Sequence, residues 1–199
     1  MRSVDRDLLK TFSDCLNLKN NKIGHTPKES YKDGFIRRRC YRVQFSNVQF
    51  YHWLISIGIT PAKSYTVGAI EIPPKYFRDF LRGHLDGDGT IFTYRDNATT
   101  YKGKTYDYLR VYTKFISVSE KHIKWLSQMM THYCPVQGSL ISRPAKGNRV
   151  VMWEIKIAKY ESLKLFRWLY YEKNLPALQR KRKLAERLLN RVRDNKLVR

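Results

Sequence analysis

The sequence predicts an α+β fold in which an αββαββα unit, residues 73–199, follows a partial repeat of the same unit, residues 1–72. Two kinds of apolar spacing support this prediction. Some segments place apolar residues three or four positions apart, as in a helix, and others alternate apolar and polar residues, as in a half-buried strand. The order of these segments in the second half also matches the order in the first. The hydrophobic fraction of 42% is large enough for a core and argues against a disordered chain.

The two halves of the chain contain matching short segments in the same order. In each half, a segment that starts with serine predicts an N-cap and a helix, and an alternating segment then predicts a strand. A second helix follows the strand, and a Pro-Ala pair closes the unit. The matching segments are 3–10 with 117–124, 41–46 with 153–158, 50–54 with 165–169, and 59–63 with 175–179. We therefore expect the first unit to begin in the middle of the αββαββα order.

The second unit has a helix and a hairpin before the segments that repeat. Apolar residues at helical spacing predict a helix over 75–85, and the pattern after it predicts a hairpin. We expect one strand over 90–96, a polar turn over 97–104 and a return strand over 106–117.

Alternation along the return strand assigns its side chains to two faces. The apolar face carries Leu109, Val111 and Phe115. The polar face carries Arg110, Tyr112 and Lys114. Because successive side chains of a strand point to opposite sides, we expect the first set in the core and the second in solvent.

The last part of the chain predicts another hairpin and a helix. Residues 138–141 and 150–157 read as two strands, with a basic turn over 143–149. From Leu178 onward, apolar residues at helical spacing alternate with Lys and Arg, which predicts a basic amphipathic helix.

The chain carries a large excess of positive charge. Its 39 Lys and Arg residues outnumber its 17 Asp and Glu residues, which gives a formal net charge of +22 and an isoelectric point near 10.1. Such an excess favours a polyanionic partner, and nucleic acid is the usual polyanion for a protein this basic. A ribosome-associated protein, or basicity spread over the whole surface, would also account for the charge.

The cysteines and the apolar runs bear on the compartment. Cys15, Cys40 and Cys134 are far apart and odd in number, so the sequence favours neither a disulfide framework nor a zinc site. No apolar run approaches the roughly 18 residues of a membrane span. We therefore expect an intracellular, reducing compartment, such as a bacterial cytoplasm or an organelle matrix, and no secretion.

Residues 74–91 contain the most informative pattern. Apolar or aromatic pairs at 76/77, 80/81 and 84/85 predict a helix with an apolar stripe. Gly83 lies on this helix away from either end, where glycine costs about 1 kcal/mol relative to alanine. Close approach of a second helix would explain it.

Two acids, Asp86 and Asp88, lie where this helix ends and a strand begins. By itself the run Asp-Gly-Asp-Gly is also typical of a simple turn, because Asp and Gly favour turns. A calcium loop of the EF-hand kind is excluded, since no third ligand or distal Glu has the required spacing.

The segment 81–89, Leu-Arg-Gly-His-Leu-Asp-Gly-Asp-Gly, resembles the motif of the LAGLIDADG homing endonucleases. Residues 77–80 and 90–91 extend the match, and the repeat and strand–helix order extend it over most of the chain. Arg82 replaces the small alanine of the motif, and His84 replaces an apolar residue. The resemblance implies a saddle-shaped antiparallel sheet that docks on double-stranded DNA, and metal-dependent, sequence-specific cleavage of that DNA.

The resemblance also implies a metal site at the end of the motif helix. The last acid of the motif, Asp88, would bind a divalent metal, and the carbonyl of Gly87 would assist it. Hard carboxylate ligands suit Mg²⁺, and metal ions beside a phosphodiester stabilise its attacking and leaving oxygens. Asp86 would orient the end of the helix, and Gly83 would contact a second motif helix.

Polar residues near the motif assist the attacking water in this family. Gln44 and Lys156 occupy matching positions in the two repeats, so they are the candidates for this role. Lys156 could equally be a solvated lysine on a strand.

DNA contacts should come from the polar faces of the strands. A two-stranded β-ribbon fits the major groove, where Arg and Lys pair with guanine edges or phosphates. The candidates are Arg110, Tyr112, Lys114, Thr90, Arg143, Lys146, Arg149, Arg38 and Arg42. Phe92 and Tyr94 fall on the same side as Asp88 by alternation, and aromatic residues there could also serve the core.

Single-chain members of the family contain two motif helices, and only one is seen here. We expect a truncated or degenerate enzyme, or a second chain that supplies the other helix. Two other functions fit the same fold: a maturase that binds intron RNA, and a DNA-binding regulator that does not cut.

Overall fold

The computed structural model describes residues 1–26, 40–144 and 150–193, and it confirms the α+β class. The described helices pack around two antiparallel sheets. None of these helices is both long and apolar enough to cross a lipid bilayer.

The first part of the chain forms a small sheet with two helices. Its elements are β1 (Arg2–Ser3), α1 (Arg6–Cys15), β2 (Gly24–His25), β3 (Tyr41–Arg42) and α2 (Val48–Ser56). The strand order is β1-β3-β2. The predicted N-cap at Ser3 is wrong, because Ser3 pairs with Tyr41 in the sheet and Asp5 is the N-cap. The predicted strand over 41–46 ends early, since after Val43 the chain leaves the sheet to pack the Phe45 ring against Phe12.

The second part forms a larger unit in the predicted αββαββα order, followed by the predicted C-terminal helix. A short 3₁₀ turn, Pro74–Tyr76, leads into α3 (Phe77–Gly87). The remaining elements are β4 (Thr90–Tyr101), β5 (Lys104–Ser117), α4 (Glu120–Tyr133), β6 (Ser139–Arg143), β7 (Met152–Ile157), α5 (Lys159–Leu169) and α6 (Gln179–Arg193). The sheet has the strand order β4-β5-β7-β6. Ser119 is the N-cap of α4, two residues after the serine expected there.

The hairpin between β4 and β5 is longer than the sequence predicts. The polar turn expected over 97–104 is wrong, since the strands continue to a two-residue turn at Lys102 and Gly103. Both turn residues have positive φ, 48° and 74°, as a type I′ turn requires. A register shift between Asp96 and Thr99 marks a bulge in β4, which absorbs the irregular stretch within the strand.

The predicted strand phase is confirmed. Val111 and Phe115 are buried, and the alternate residues of β5 lie on the other side of the sheet. That side, which we call the polar face, is defined by directly paired residues of β4, β5 and β7. Its members are Thr90, Phe92, Tyr94, Asp96, Arg110, Tyr112, Lys114, Glu154 and Lys156.

Helix α3 contributes three large apolar side chains to the core beneath the sheet. Phe77, Leu81 and Leu85 are fully buried, four residues apart along one side of the helix. They pack in a single cluster with Phe115 and Phe166. Burial of such a side chain contributes about 1.5–3 kcal/mol, so this cluster fixes the position of the motif helix under the sheet.

Helix α6 joins the two parts of the molecule. The buried residues Leu178, Ala185 and Leu188 confirm the predicted amphipathic helix. At its first turn, Arg180 forms a bidentate ion pair with Asp5, and the Gln179 N–H donates to Asp7. The boundary predicted at residue 72 stays a prediction.

Candidate metal and nucleic-acid site

The two acids of the motif point in different directions. Asp86, in the last turn of α3, is only 4% exposed. Asp88 caps the helix through its backbone N–H, which donates to the His84 carbonyl at 3.1 Å, and its side chain is exposed. Of the two carboxylates, Asp88 is therefore the one available to a ligand.

Asp86 links the end of α3 to the start of α6. Its Oδ2 accepts a hydrogen bond of 2.8 Å from the Leu178 N–H. Burial raises the pKa of Asp86 to about 6, although this hydrogen bond and the charge of Lys181 act in the opposite direction. An acid placed in this way holds two helix ends together, as expected from the sequence for Asp86.

Lys181 completes the same connection from the other side. Its buried Nζ donates to the carbonyl oxygens of Leu85, Asp86 and Gly89, at 2.5, 2.9 and 2.6 Å. A cation near the C-terminal end of a helix is favourable, because the last carbonyls of the helix carry partial negative charge. Lys181 is not among the functional residues that the sequence predicts. The signal was present, because Lys181 falls in the apolar stripe formed by Leu178 and Ala185.

The two residues that depart from the family motif each have a partner within the protein. Arg82 is buried, donating to the Pro176 and Leu169 carbonyls and pairing with Asp79. It therefore anchors α3 to the chain before α6.

His84, the other departure, lies against α4. The Nε2 atoms of His84 and His122 are 3.2 Å apart, and His122 Nδ1 is 2.9 Å from the Gly68 carbonyl. Because a carbonyl can only accept, His122 Nδ1 carries a hydrogen, and in a neutral pair His84 Nε2 donates to His122 Nε2.

One side of the motif helix is open. Gly83 and Gly87, four residues apart, are exposed, and a Cβ added at either would meet no atom within 4 Å. Helix–helix contact through Gly83, expected from the sequence, is therefore not made by the described residues. A cavity of about 440 Å³ lies beside this helix. Its lining includes Ile59, Val67, Phe80, His84, Asp88 and His122.

The oxygen donors at the end of the helix fit a hard divalent cation only in part. Asp88 supplies an exposed carboxylate, and Gly87 supplies a backbone carbonyl next to it. The described residues contain no group of three His, Cys, Asp or Glu side chains that could hold a metal ion. Mg²⁺ usually retains several waters and takes only one or two protein carboxylates, so Asp88 would supply one of them.

Arg110 and Lys114, two of the cations predicted to bind DNA, lie on the polar face, and acids hold both of them as well as Arg143. Glu154 is nearly buried and accepts from Lys114 at 3.1 Å and from Arg143 at 2.9 and 3.0 Å. Burial alone would raise the pKa of Glu154, but these hydrogen bonds outweigh it and the pKa lies below its usual value. Arg110 pairs with Asp96 at 2.8 Å. These ion pairs could not be predicted from the sequence, because each one joins residues on two different strands.

Lys156 and Tyr112 are neighbours on the polar face. The Lys156 Nζ lies 4.2 Å from the centre of the Tyr112 ring, within the range of a cation–π interaction. Thr90 is exposed and pairs with Lys114, close to the motif acid in sequence.

The other candidates lie in the first part of the chain or outside the described residues. Arg42, in β3, is exposed. Gln44 is also exposed, and its backbone carbonyl accepts from Asn21. Arg38, Lys146 and Arg149 lie outside the described residues, so their positions stay predictions.

No protein-family model matches the sequence, and no curated protein matches it. Solved structures similar to this one are homing endonucleases with DNA. I-CvuI with a DNA target and Mg is 20% identical, with a TM-score of 0.43 over 60% of this chain and 68% of that one. The archaeal intron-encoded I-Vdi141I is 13% identical, with a TM-score of 0.43 over 59% and 72%. The LAGLIDADG meganuclease I-AabMI is 12% identical, with a TM-score of 0.49 over 98% and 81%. These are proteins of the family that the motif resembles.

Proposed function

We propose that this protein is a LAGLIDADG-type homing endonuclease that binds double-stranded DNA on its polar face and cleaves it with Mg²⁺. The observation that carries the proposal is the position of Asp88. Its exposed carboxylate follows the motif helix directly and precedes β4, the first strand of the polar face. A metal-binding acid would then lie beside a surface that carries Arg110, Lys114 and Lys156.

Several residues of this chain would have separate roles in cleavage. Asp88 and the Gly87 carbonyl would hold one side of the cation, which supplies charge stabilisation at the scissile phosphate. Lys156 would orient the attacking water or stabilise negative charge, and Gln44 is the matching candidate in the first repeat. Asp86 and Lys181 would fix the helix end, so that the carboxylate of Asp88 keeps its position.

A second chain would complete the site. One exposed carboxylate forms half of a metal site, and the Gly83 and Gly87 side of α3 is open. Glycines four residues apart allow two helices to approach closely, so this side suits a second motif helix. That helix would bring its own terminal acid close to Asp88.

Asp88→Asn tests the proposal directly. It removes a hard anionic ligand and nearly preserves shape, so Mg²⁺-dependent cleavage of a selected duplex should be lost. DNA binding in EDTA should stay equal or improve, because a negative charge near phosphate is gone. Asp14→Asn, an exposed acid on α1, is the matched control for charge. Cleavage at the parental rate by Asp88→Asn would refute Asp88 as the metal ligand.

A second candidate function follows from the same single acid. A chain with half a metal site can bind nucleic acid without cutting it, as an intron RNA maturase or a DNA-binding regulator would. The parent protein and the Asp88→Asn variant would then both bind nucleic acid, and neither would cleave it. Preference for structured intron RNA over duplex DNA at equal salt would favour the maturase.

The cell biology that goes with the nuclease function is also a proposal. Such a protein would be encoded by a mobile element, within an intron, and would act inside the cell in a reducing compartment. Its strong basicity supports contact with nucleic acid there.

A further inference from the structure

Three aromatic rings form a cluster in the middle of the polar face. Phe92 and Tyr112 are paired across β4 and β5, with ring centres 5.3 Å apart. Tyr94 lies 6.5 Å from Phe92 and 6.2 Å from Tyr112, and all three rings are within 23° of parallel. Tyr94 is 47% exposed. We call these residues the aromatic trio.

The trio is an apolar patch surrounded by charge. Lys156 lies over the Tyr112 ring at 4.2 Å, and Lys114 lies over the Phe92 ring at 5.2 Å. Arg110 and Asp96 flank Tyr94 on the neighbouring positions of the face. These surroundings would direct the patch towards a charged partner, while the patch itself offers apolar contact.

The packing of the rings limits what they can bind. The faces of Phe92 and Tyr112 contact each other and the two lysines, so a nucleobase cannot stack on them without displacing those groups. Stacking is the usual role of aromatic residues in proteins that bind single strands. What remains available is apolar contact at the ring edges and at Tyr94.

The major groove of a duplex contains one apolar group for such a surface. Each base pair presents hydrogen-bond donors and acceptors there, and thymine alone adds a C5-methyl group. A β-ribbon fits the width of that groove. The lysines beside the trio would meanwhile meet phosphates, which position a protein without reading the sequence.

We propose that the aromatic trio selects thymine by contact with C5-methyl groups in the major groove. This inference rests on the proposed function, since it requires the polar face to dock on duplex DNA. It assigns Phe92, Tyr94 and Tyr112 to specificity, and the surrounding cations to affinity.

The test compares two duplexes that differ in the methyl group alone. An alternating dA-dT duplex and an alternating dA-dU duplex of equal length carry the same charge. We expect the protein to bind the thymine duplex more tightly in EDTA, by roughly fourfold for each methyl group buried. Equal affinity for the two duplexes would overturn the inference and leave DNA docking intact.

Two further measurements separate the possible failures. The double variant Tyr94→Ser with Tyr112→Ser should lose the preference for thymine, whereas Tyr65→Ser, a tyrosine 65% exposed in the linker before α3, should keep it. A preference retained by the double variant would refute the trio as its source. If the double variant does not fold, Tyr94→Ser alone takes its place. Tighter binding to the single strand than to the duplex would overturn both this inference and the proposed docking mode.

Discussion

The ammonium group of Lys181 lies 2.6 Å from the carbonyl oxygen of Gly89. Gly89 is the last residue of the motif, just after α3, and Lys181 belongs to α6. The end of α3 and the first turn of α6 therefore meet beside the candidate metal site. The same ammonium group also binds two carbonyls in the last turn of α3.

Lys181→Met should destabilise the fold. Methionine has a similar length but no donor, so three buried carbonyls lose their hydrogen bond from the ammonium group. We expect the free energy of unfolding to fall by about 1–3 kcal/mol, measured with urea. Lys183→Met, in the same helix and exposed, should have little effect. Equal unfolding curves for the two variants would show that Lys181 does not hold the motif.

The pH dependence of stability should contain two opposing contributions. Burial, followed by the charge of His122, lowers the pKa of His84 to about 4. Between these pH values the unfolded chain binds a proton at His84 that the folded chain does not bind. The contribution of His84 to the free energy of unfolding is therefore lost as the pH falls from about 6.5 to 4. Burial raises the pKa of Asp86 to about 6. Its contribution is present below about pH 4 and is lost as the pH rises through 6.

Single variants should separate these contributions. Relative to the parent, Asp86→Asn should lose stability as the pH is lowered from 6 to 4, by up to about 1.4 kcal/mol per pH unit. His84→Gln should gain stability relative to the parent over the same range. Urea unfolding in EDTA at several pH values measures both differences. Parallel curves for parent and variants would contradict the assigned pKa values.

Arg110 and Lys114 should differ in what they contribute to stability. Both lie on the polar face, so replacement of either by alanine should weaken duplex binding. Arg110 has a side chain that is 43% exposed, so solvent screens its ion pair and its replacement should cost little stability. Lys114 is 15% exposed and bound to nearly buried Glu154, so Lys114→Ala should cost about 1–3 kcal/mol. Equal losses of stability would show that Glu154 does not depend on Lys114.

Binding to duplex DNA should depend strongly on salt. If the protein neutralises about 6–10 phosphates, affinity should fall by about 10³–10⁵ between roughly 50 and 200 mM salt. The slope of the logarithm of affinity against the logarithm of salt concentration measures the number of contacts. A flat response would contradict docking through this face.

Gly83→Leu should separate folding from association. Because nothing lies within 4 Å of a Cβ at this position, the folded chain should keep or raise its thermal midpoint. A second helix docked on the glycine side would be excluded, so self-association measured by sedimentation should disappear. Association that persists in the variant would place the interface elsewhere, and a monomeric parent would rule out a second copy as the partner.

Local patterns predicted the elements that have one buried side. The stripe of Phe77, Leu81 and Leu85 and the alternation of Val111 and Phe115 are both visible in sequence, because burial on one side leaves a period. The end of the β4–β5 hairpin has no such period of apolar residues. Residues 97–104 are mostly polar and exposed, so the sequence predicts a turn over all of them, although only Lys102 and Gly103 form one.

Contacts between distant residues could not be predicted from spacing. Lys181 and Leu85 are 96 positions apart, and Lys114 and Glu154 are 40 apart. Each of these side chains is ordinary in its own segment and acquires its role only when two elements pack. The acid of the motif, by contrast, is predicted as a metal ligand from adjacent residues alone.

If the polar face docks on DNA as proposed, the long hairpin would set how far the protein reaches along its target. Within the described residues, β7 pairs with β5 only from Thr113 onward, and the part of β5 before Thr113 has β4 as its strand partner. We call this part of the hairpin, with β5 residues 104–112, the arm. It measures about 30 Å at roughly 3.3 Å per residue. Successive base pairs are about 3.4 Å apart, so the arm matches about nine of them. The footprint of one unit would therefore be set by the turn at Lys102 and Gly103, and shortening the arm would shorten the half-site that it can read.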